Sequence, residues 1–350
     1  MMIPVASRPA APRPFLRALV ATVVAVVVFV VLLPLLLVWL IFFAITRLIA
    51  AVHKLMEPQA IPWSDVIDFD PELGWRCRSD LNTGARADRV FRFTTDERGW
   101  RRTRPFADAD VVVIGDSFAF GWGVDDRDHF ANVEVQSQHS IRFKSVGAIA
   151  YNLVQELMLM EHVKEQLRDK VVVWLVYVGN DITENLSPHV GPYRSPFVRR
   201  AETGDAWELV TEHLVPEPWP WPKWLVEDDI YRELCCDTYR SRRAYDATGY
   251  LIERAQEVCS SVDARLLVAM VPCLSGYEAD DLRADSPDPA SFDRNRPYNE
   301  IRAACERVGV RFIPLHQYLE RRHYKPADVH WNEAGHRRVA ETLETVVFDA

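Results

Sequence analysis

The chain has 350 residues, enough to bury a sizeable core and still carry segments outside it. At 49% hydrophobic and 26% charged it reads as globular and not disordered, and a net charge of -9 without a basic stripe excludes nucleic acid as the expected partner. The 10 histidines lack metal-ligand spacing and no Cys-x-x-Cys pair exists, so no metal is expected.

Residues 1–17 contain Arg8, Arg13 and Arg17 and no acid. From Ala18 to Ile45 the chain is uncharged, rich in Val, Leu, Ala, Phe and Ile, and interrupted by Pro34. A bilayer core needs about 20 apolar residues, whereas the apolar region of a cleaved signal peptide spans only about 7–15. The run therefore predicts an uncleaved membrane helix over 18–46, kinked at Pro34. Arg47, His53 and Lys54 follow it, soon joined by Glu57 and Asp65. The positive-inside rule then predicts a cytoplasmic tail at 1–17 and a main domain on the outer side. In a bacterium that is a single-pass inner-membrane protein facing the periplasm. Such a compartment permits a bridge between Cys259 and Cys305, each near the end of a predicted helix. The alternative is that both are small buried hydrophobes.

Residues 47–104 read as an extension packed on the main domain, with two short turns at Asp70-Pro-Glu-Leu-Gly-Trp75 and Thr95-Asp-Glu-Arg-Gly-Trp100. From 105 to 350 strands and helices alternate. The expected strands are 111–115, 141–146, 171–178, 266–271 and 310–315. The expected helices are 128–137, 152–167, 245–259, 298–308 and 332–346, the last capped by Asn332. Val171–Val178 is continuously apolar and should be a central strand buried on both faces. This alternation predicts a parallel five-stranded sheet with helices on both faces, a flavodoxin-like three-layer α/β/α sandwich. A long insertion at 182–240 interrupts it. It holds a hairpin signal around residues 197–211 and the run Pro216-Glu-Pro-Trp-Pro-Trp-Pro-Lys-Trp224, in which Trp219, Trp221 and Trp224 offer broad apolar faces for a substrate loop or for plain packing. A second excursion, 274–295, is rich in Asp, Ser and Pro.

Three polar punctuations follow apolar runs. Val111-Val-Val-Ile-Gly-Asp-Ser-Phe118 turns sharply at Ser117, Val178-Gly-Asn-Asp181 presents Asn180, and Asp328-Val-His-Trp-Asn332 presents His330. Ligands of open parallel sheets sit beyond the carboxyl ends of the strands, so all three should meet at one rim. A serine hydroxyl needs a base to become nucleophilic. An imidazole suits that work near neutrality, and Asp328 is placed to hold its tautomer. The Ser117 N–H at a helix entrance and the Asn180 amide are candidate donors to an oxyanion. Asp116 is expected to stabilise the turn and Asp181 to cap the turn that follows it. His336 reads as a helix-face residue, and His129, His189 and His323 show no convincing partner.

Gly115-Asp-Ser-Phe118, Gly147 with Ala150, Asn180 and His330 together resemble the four sequence blocks of the SGNH (GDSL-type) hydrolase superfamily over roughly 105–350. The Gly-Trp turns resemble the lead-in of some bacterial membrane-anchored members. The resemblance implies a flavodoxin-like fold, no metal or organic cofactor, Ser117 as nucleophile, His330 as base, and an oxyanion hole from Ser117, Ala150 and Asn180. Three positions depart from the pattern. Ala150 stands where the second block has glycine, Val178 stands where the third block begins with glycine, and the usual Asp-x-x-His is Asp328-x-His330. A similar Asp-x-His-Trp occurs in relatives resembling alginate O-acetyltransferases. If Asp328 points away, the site is a Ser–His dyad.

The expected function is a membrane-anchored serine esterase or O-acyltransferase acting on carbohydrate or lipid esters, with acetyl preferred by resemblance only. A transferase would need a donor-delivering membrane partner or a donor already outside. The competing reading is an inactive envelope module that binds glycan through its Trp/Pro-rich insertion.

Overall fold

The computed structural model describes residues 14–56, 60–135, 140–202, 204–218, 227–278 and 282–348. Contacts divide the chain into two units, Met1–Glu57 and Pro58–Ala350. In the first, α1 (Pro14–Val26) runs through a π-helical turn (Val27–Leu32) into α2 (Leu33–Met56). The stretch Phe15–Ile49 is long and apolar enough to cross a membrane. Pro34 has no N–H for the Val30 carbonyl, and its ring crowds that carbonyl. The helix responds by widening, and the Leu33 N–H donates to the Val28 carbonyl five residues back. The irregularity expected at Pro34 thus takes the form of a π turn just before it.

The second unit opens with five short strands: β1 (Ala60–Ile61), β2 (Ile67–Asp70), β3 (Gly74–Cys77), β4 (Asn82–Arg86) and β5 (Val90–Thr94). β2 and β3 form one hairpin, and β4 and β5 form another, with β1 joining β4 in parallel. The main sheet contains β6 (Val111–Gly115), β7 (Phe143–Gly147), β8 (Val171–Tyr177), β11 (Arg265–Val271) and β12 (Arg311–Pro314). Its five strands are all parallel, in the order β12-β11-β8-β6-β7. Numbered within the sheet, this is the flavodoxin order 2-1-3-4-5. Between β8 and β11 lie β9 (Phe197–Arg200) and β10 (Trp207–Val210), the antiparallel hairpin expected in the insertion.

The helices of this unit are α3 (Ser117–Phe120), α4 (Leu153–Val163), α5 (Asp181–Glu184), α6 (Glu227–Leu234), α7 (Tyr239–Ser260), α8 (Ser275–Glu278), α9 (Arg296–Arg307) and α10 (Glu333–Phe348). α4, α7 and α9 pack in series. Parallel crossovers are right-handed as a rule, which with these contacts places the three on one face of the sheet and α10 on the other, against the first crossover. The valine-rich strands β6 and β8 are buried almost throughout, as their unbroken apolar runs require.

Two expectations need correction. No α-helix occupies 128–135; a 3-10 turn at Asp126–Asp128 leads into further turns, and 136–139 lie outside the described residues. There His129 is buried, with its Nε2 on the Ala119 carbonyl and its Nδ1 accepting from the Ala131 N–H, so side-chain bonds to the backbone replace a helical repeat. α7 also begins six residues before the expected Tyr245, because Thr238 and Ser241 form a reciprocal cap. Cys259 and Cys305 are buried and not bridged.

Candidate active site

β6 ends in a forced turn. The strands approach so closely that a Cβ on Gly147 would stand 2.1 Å from the Gly115 carbonyl oxygen, which only glycine permits. Asp116 then caps α3, its carboxylate accepting from the Phe118 N–H at 2.9 Å. Ser117 is therefore the first residue of a short helix at the carboxyl edge of the sheet, 8% exposed.

The Ser117 hydroxyl meets the His330 ring, with Oγ 2.7 Å from Nε2. The other ring nitrogen, Nδ1, lies 2.5 Å from Asp328 Oδ1. That same oxygen accepts the His330 main-chain N–H at 3.0 Å, closing an Asx turn. This explains how the shortened Asp-x-His spacing works: Asp328 reaches the ring by bonding the backbone two residues ahead. Burial disfavours the Asp328 carboxylate, but the His330 hydrogen bonds and the charges of His330 and Lys325 outweigh it and hold the carboxyl below its usual range. Behind His330, Trp331 is fully buried and pairs with Tyr324 in an isolated antiparallel bridge. Its ring packs edge-on against Phe118, with centroids 4.8 Å apart.

Ala150 and Asn180 flank Ser117 by topology, since they follow β7 and β8, the two neighbours of β6. Ala150 has φ +60, a left-handed backbone that glycine adopts without a Cβ penalty and alanine adopts under strain. Its loop is held from outside: the Trp75 indole N–H donates to the Ile149 carbonyl at 2.9 Å, and the Tyr151 hydroxyl donates to the Trp75 carbonyl at 2.7 Å. Asn180 Nδ2 donates to Glu184 Oε2 at 3.3 Å, one helical turn on, while its Oδ1 finds no partner among the described residues.

Four carboxyls are buried around this edge. Burial pushes Asp116 up to about 6 and, with the Asp116 charge adding, pushes Glu184 up to about 8. Glu156 and Asp181 are raised well above the carboxylate range, again first by burial and then by neighbouring acids. At neutral pH burial thus holds Glu156, Asp181 and Glu184 towards the protonated form, while Asp116, raised less, keeps its charge beside Ser117. Asp181 is structural, but its Oδ2 accepts the Tyr177 N–H at 2.6 Å behind it and does not cap the turn ahead. His336 is buried within its helix, its Nδ1 accepting from the Phe130 N–H. Trp219, Trp221 and Trp224 lie outside the described residues. Glu184, which pairs with Asn180, and Lys325, whose charge acts on Asp328, gave no sequence signal, being isolated charges with no distinguishing spacing.

No family model and no curated protein matches the chain. Among solved structures it is similar to a member of the lipolytic protein G-D-S-L family from Veillonella parvula, at 12% identity over 67% of this chain and 96% of that one, with a TM-score of 0.37. It is also similar to a carbohydrate acetylesterase family member from Sinorhizobium meliloti, at 14% identity over 68% and 97%, with a TM-score of 0.40. A third is the psychrotrophic esterase EstA from a Pseudoalteromonas species, at 8% identity over 68% and 97%, with a TM-score of 0.37.

Proposed function

We propose that this chain is a membrane-anchored serine esterase or O-acyltransferase of the SGNH type, acting on ester groups, preferably acetyl, of a carbohydrate or lipid. The observation that carries this reading is the hydrogen-bonded series Ser117 Oγ, His330 Nε2, His330 Nδ1 and Asp328 Oδ1, assembled at the carboxyl edge of the sheet. His330 takes the hydroxyl proton as Ser117 Oγ attacks the ester carbonyl. The resulting oxyanion receives hydrogen bonds from the Ser117 and Ala150 N–H groups and the Asn180 amide. The acyl–oxygen bond then breaks, and His330 returns the proton to the departing alcohol. Water, or an acceptor hydroxyl, attacks the acyl-serine with His330 again as base, releasing Ser117. Asp328 stays ionised and stabilises the imidazolium in both halves. The protonated Glu184 beside Asn180 keeps a negative charge away from the developing oxyanion.

The inactive glycan-binding alternative drew on Ala150 and the shortened acid spacing. Alanine keeps the main-chain N–H at position 150 and the Asx turn keeps Asp328 on the His330 ring, so neither departure removes a group that the proposed mechanism uses. Residues 18–46 are read as the anchor and 105–350 as the hydrolase-like domain, with 1–17 inside and the remainder on the periplasmic side. A transferase would draw its acyl group from a membrane partner or an external donor.

The decisive experiment is fluorophosphonate labelling and short-chain aryl ester hydrolysis by the full-length chain in detergent. Ser117→Ala should abolish both. Equal turnover by the alanine variant, or no labelling of the wild type, would remove the assigned nucleophile. Product analysis with an acceptor sugar separates transfer from hydrolysis, and accessibility of introduced cysteines to an impermeant reagent reports the topology.

A further inference from the structure

The β4–β5 hairpin turn lies 237 residues from the His330 loop in sequence, yet ion pairs join it to that loop and to the first residue of α10. Asp88 Oδ1 accepts from Lys325 Nζ at 2.9 Å, and Arg89 pairs with Glu333. The Lys325 side chain is 1% exposed. A buried ammonium requires a charged partner, and Asp88 supplies one from outside the α/β domain. Lys325 is also tied to the candidate base, because its main-chain N–H donates to the His330 carbonyl at 3.0 Å. Its stem crosses the loop after α3: a Cβ on Gly123 would fall 2.3 Å from Lys325 Cε. The same hairpin grips that loop directly. Asp125 accepts the Arg92 N–H at 2.7 Å, and Asp126 accepts from the Thr94 hydroxyl at 2.8 Å. Just past the hairpin, buried Arg101 donates to the Gly121 and Val124 carbonyls. One element therefore holds both the segment that follows Ser117 and the loop that carries Asp328 and His330.

We propose that Asp88 is a positioning residue for the active site, holding Lys325 and through it the His330 loop in register with Ser117. The proposal deepens the esterase reading and rests on it. Asp88 touches no reacting atom; it acts through the placement of His330. Misplacing a base by about 1 Å can cost about 100-fold in rate, so the effect should fall on kcat and leave KM largely unchanged.

The test compares Asp88→Asn and Asp88→Glu with wild type in the full-length chain in detergent. Asp88→Asn is expected to lower kcat and the fluorophosphonate labelling rate together by about 10- to 100-fold with KM within about twofold. Asp88→Glu should restore most of the rate. Hydrogen exchange of the peptide spanning 324–333, read without substrate, should quicken in Asp88→Asn and return towards wild type in Asp88→Glu. In the Lys325→Met background, Asp88→Asn should add little further loss. Wild-type rates and unchanged exchange in Asp88→Asn would overturn the proposal, as would equal losses in the Asn and Glu variants. Failure of the wild type to react with the fluorophosphonate would instead sink the esterase reading, whatever the exchange shows.

Discussion

Replacing Asp328 by asparagine isolates the electrostatic part of the proposed mechanism. The substitution keeps the volume and one carbonyl-type oxygen, so the Asx bond from the His330 N–H, 3.0 Å in the wild type, has an acceptor still. What disappears is the negative charge 2.5 Å from Nδ1. In the transition state His330 becomes cationic. Two unit charges about 4 Å apart attract by about 4 kcal/mol at an effective dielectric of 20, which corresponds to about 1,000-fold in rate. The charge-assisted share of the hydrogen bond is already contained in that figure. Side-chain exposures of 15% for His330 and 19% for Asp328 are low enough for most of it to survive solvent screening. Asp328→Asn should therefore lower kcat by about 100- to 1,000-fold with little change in KM. The assay is initial-rate hydrolysis of a short-chain aryl ester at neutral pH, with thermal unfolding measured alongside. A loss below about fivefold in a normally folded variant would refute the triad and leave a Ser–His dyad. The pH response is a second check. The Asp328 carboxyl is held below its usual range in the folded state, so its contribution to stability is present above about pH 4 and fades as pH falls through the folded value. The asparagine variant should lose that part of the acid sensitivity.

Three other outcomes are expected. Asn180→Ala removes one of the proposed oxyanion donors and should cost about 100- to 1,000-fold in kcat; an undiminished kcat would assign the hole to backbone donors alone. Glu184 is raised by burial to about 8, so between its unfolded value and pH 8 the folded chain binds more protons than the unfolded one, and stability falls as pH rises. Glu184→Gln should flatten that decline in melting temperature between pH 5 and 8, and an unaltered slope would mean the carboxyl is not held protonated. Deleting residues 1–57, which form a unit of their own, should move the chain to the soluble fraction while fluorophosphonate labelling of Ser117 persists; continued sedimentation with membranes would show that residues 18–46 are not the anchor.

The elements easiest to read were those with their physical cause in adjacent residues. Val111–Gly115 and Val171–Tyr177 are strands because unbroken β-branched runs suit a surface buried on both faces. The helix after Asn152 begins where its capping box with Gln155 sits. The five strands before residue 95 escaped notice. They span two to five residues each, and β1 exists only through parallel pairing with residues 84 and 85. The expected helix at 128–137 failed because the buried His129 bonds to main-chain groups, an event set by its surroundings and not by local propensity.

The sequence by itself determined the chemistry on offer: a serine after a β-branched run, an asparagine after another, an Asp-x-His pair near the end, and an apolar stretch of membrane length. Local composition suffices for these, because strand burial, turn residues and span length are properties of neighbouring residues. Only the tertiary structure decided that Ser117 and His330, 213 residues apart, meet at 2.7 Å, that Ala150 takes a left-handed backbone after the neighbouring strand, and that Asp88 reaches Lys325. Those contacts depend on strand order and on which charges burial forces to pair, and neither is encoded in any window of adjacent residues.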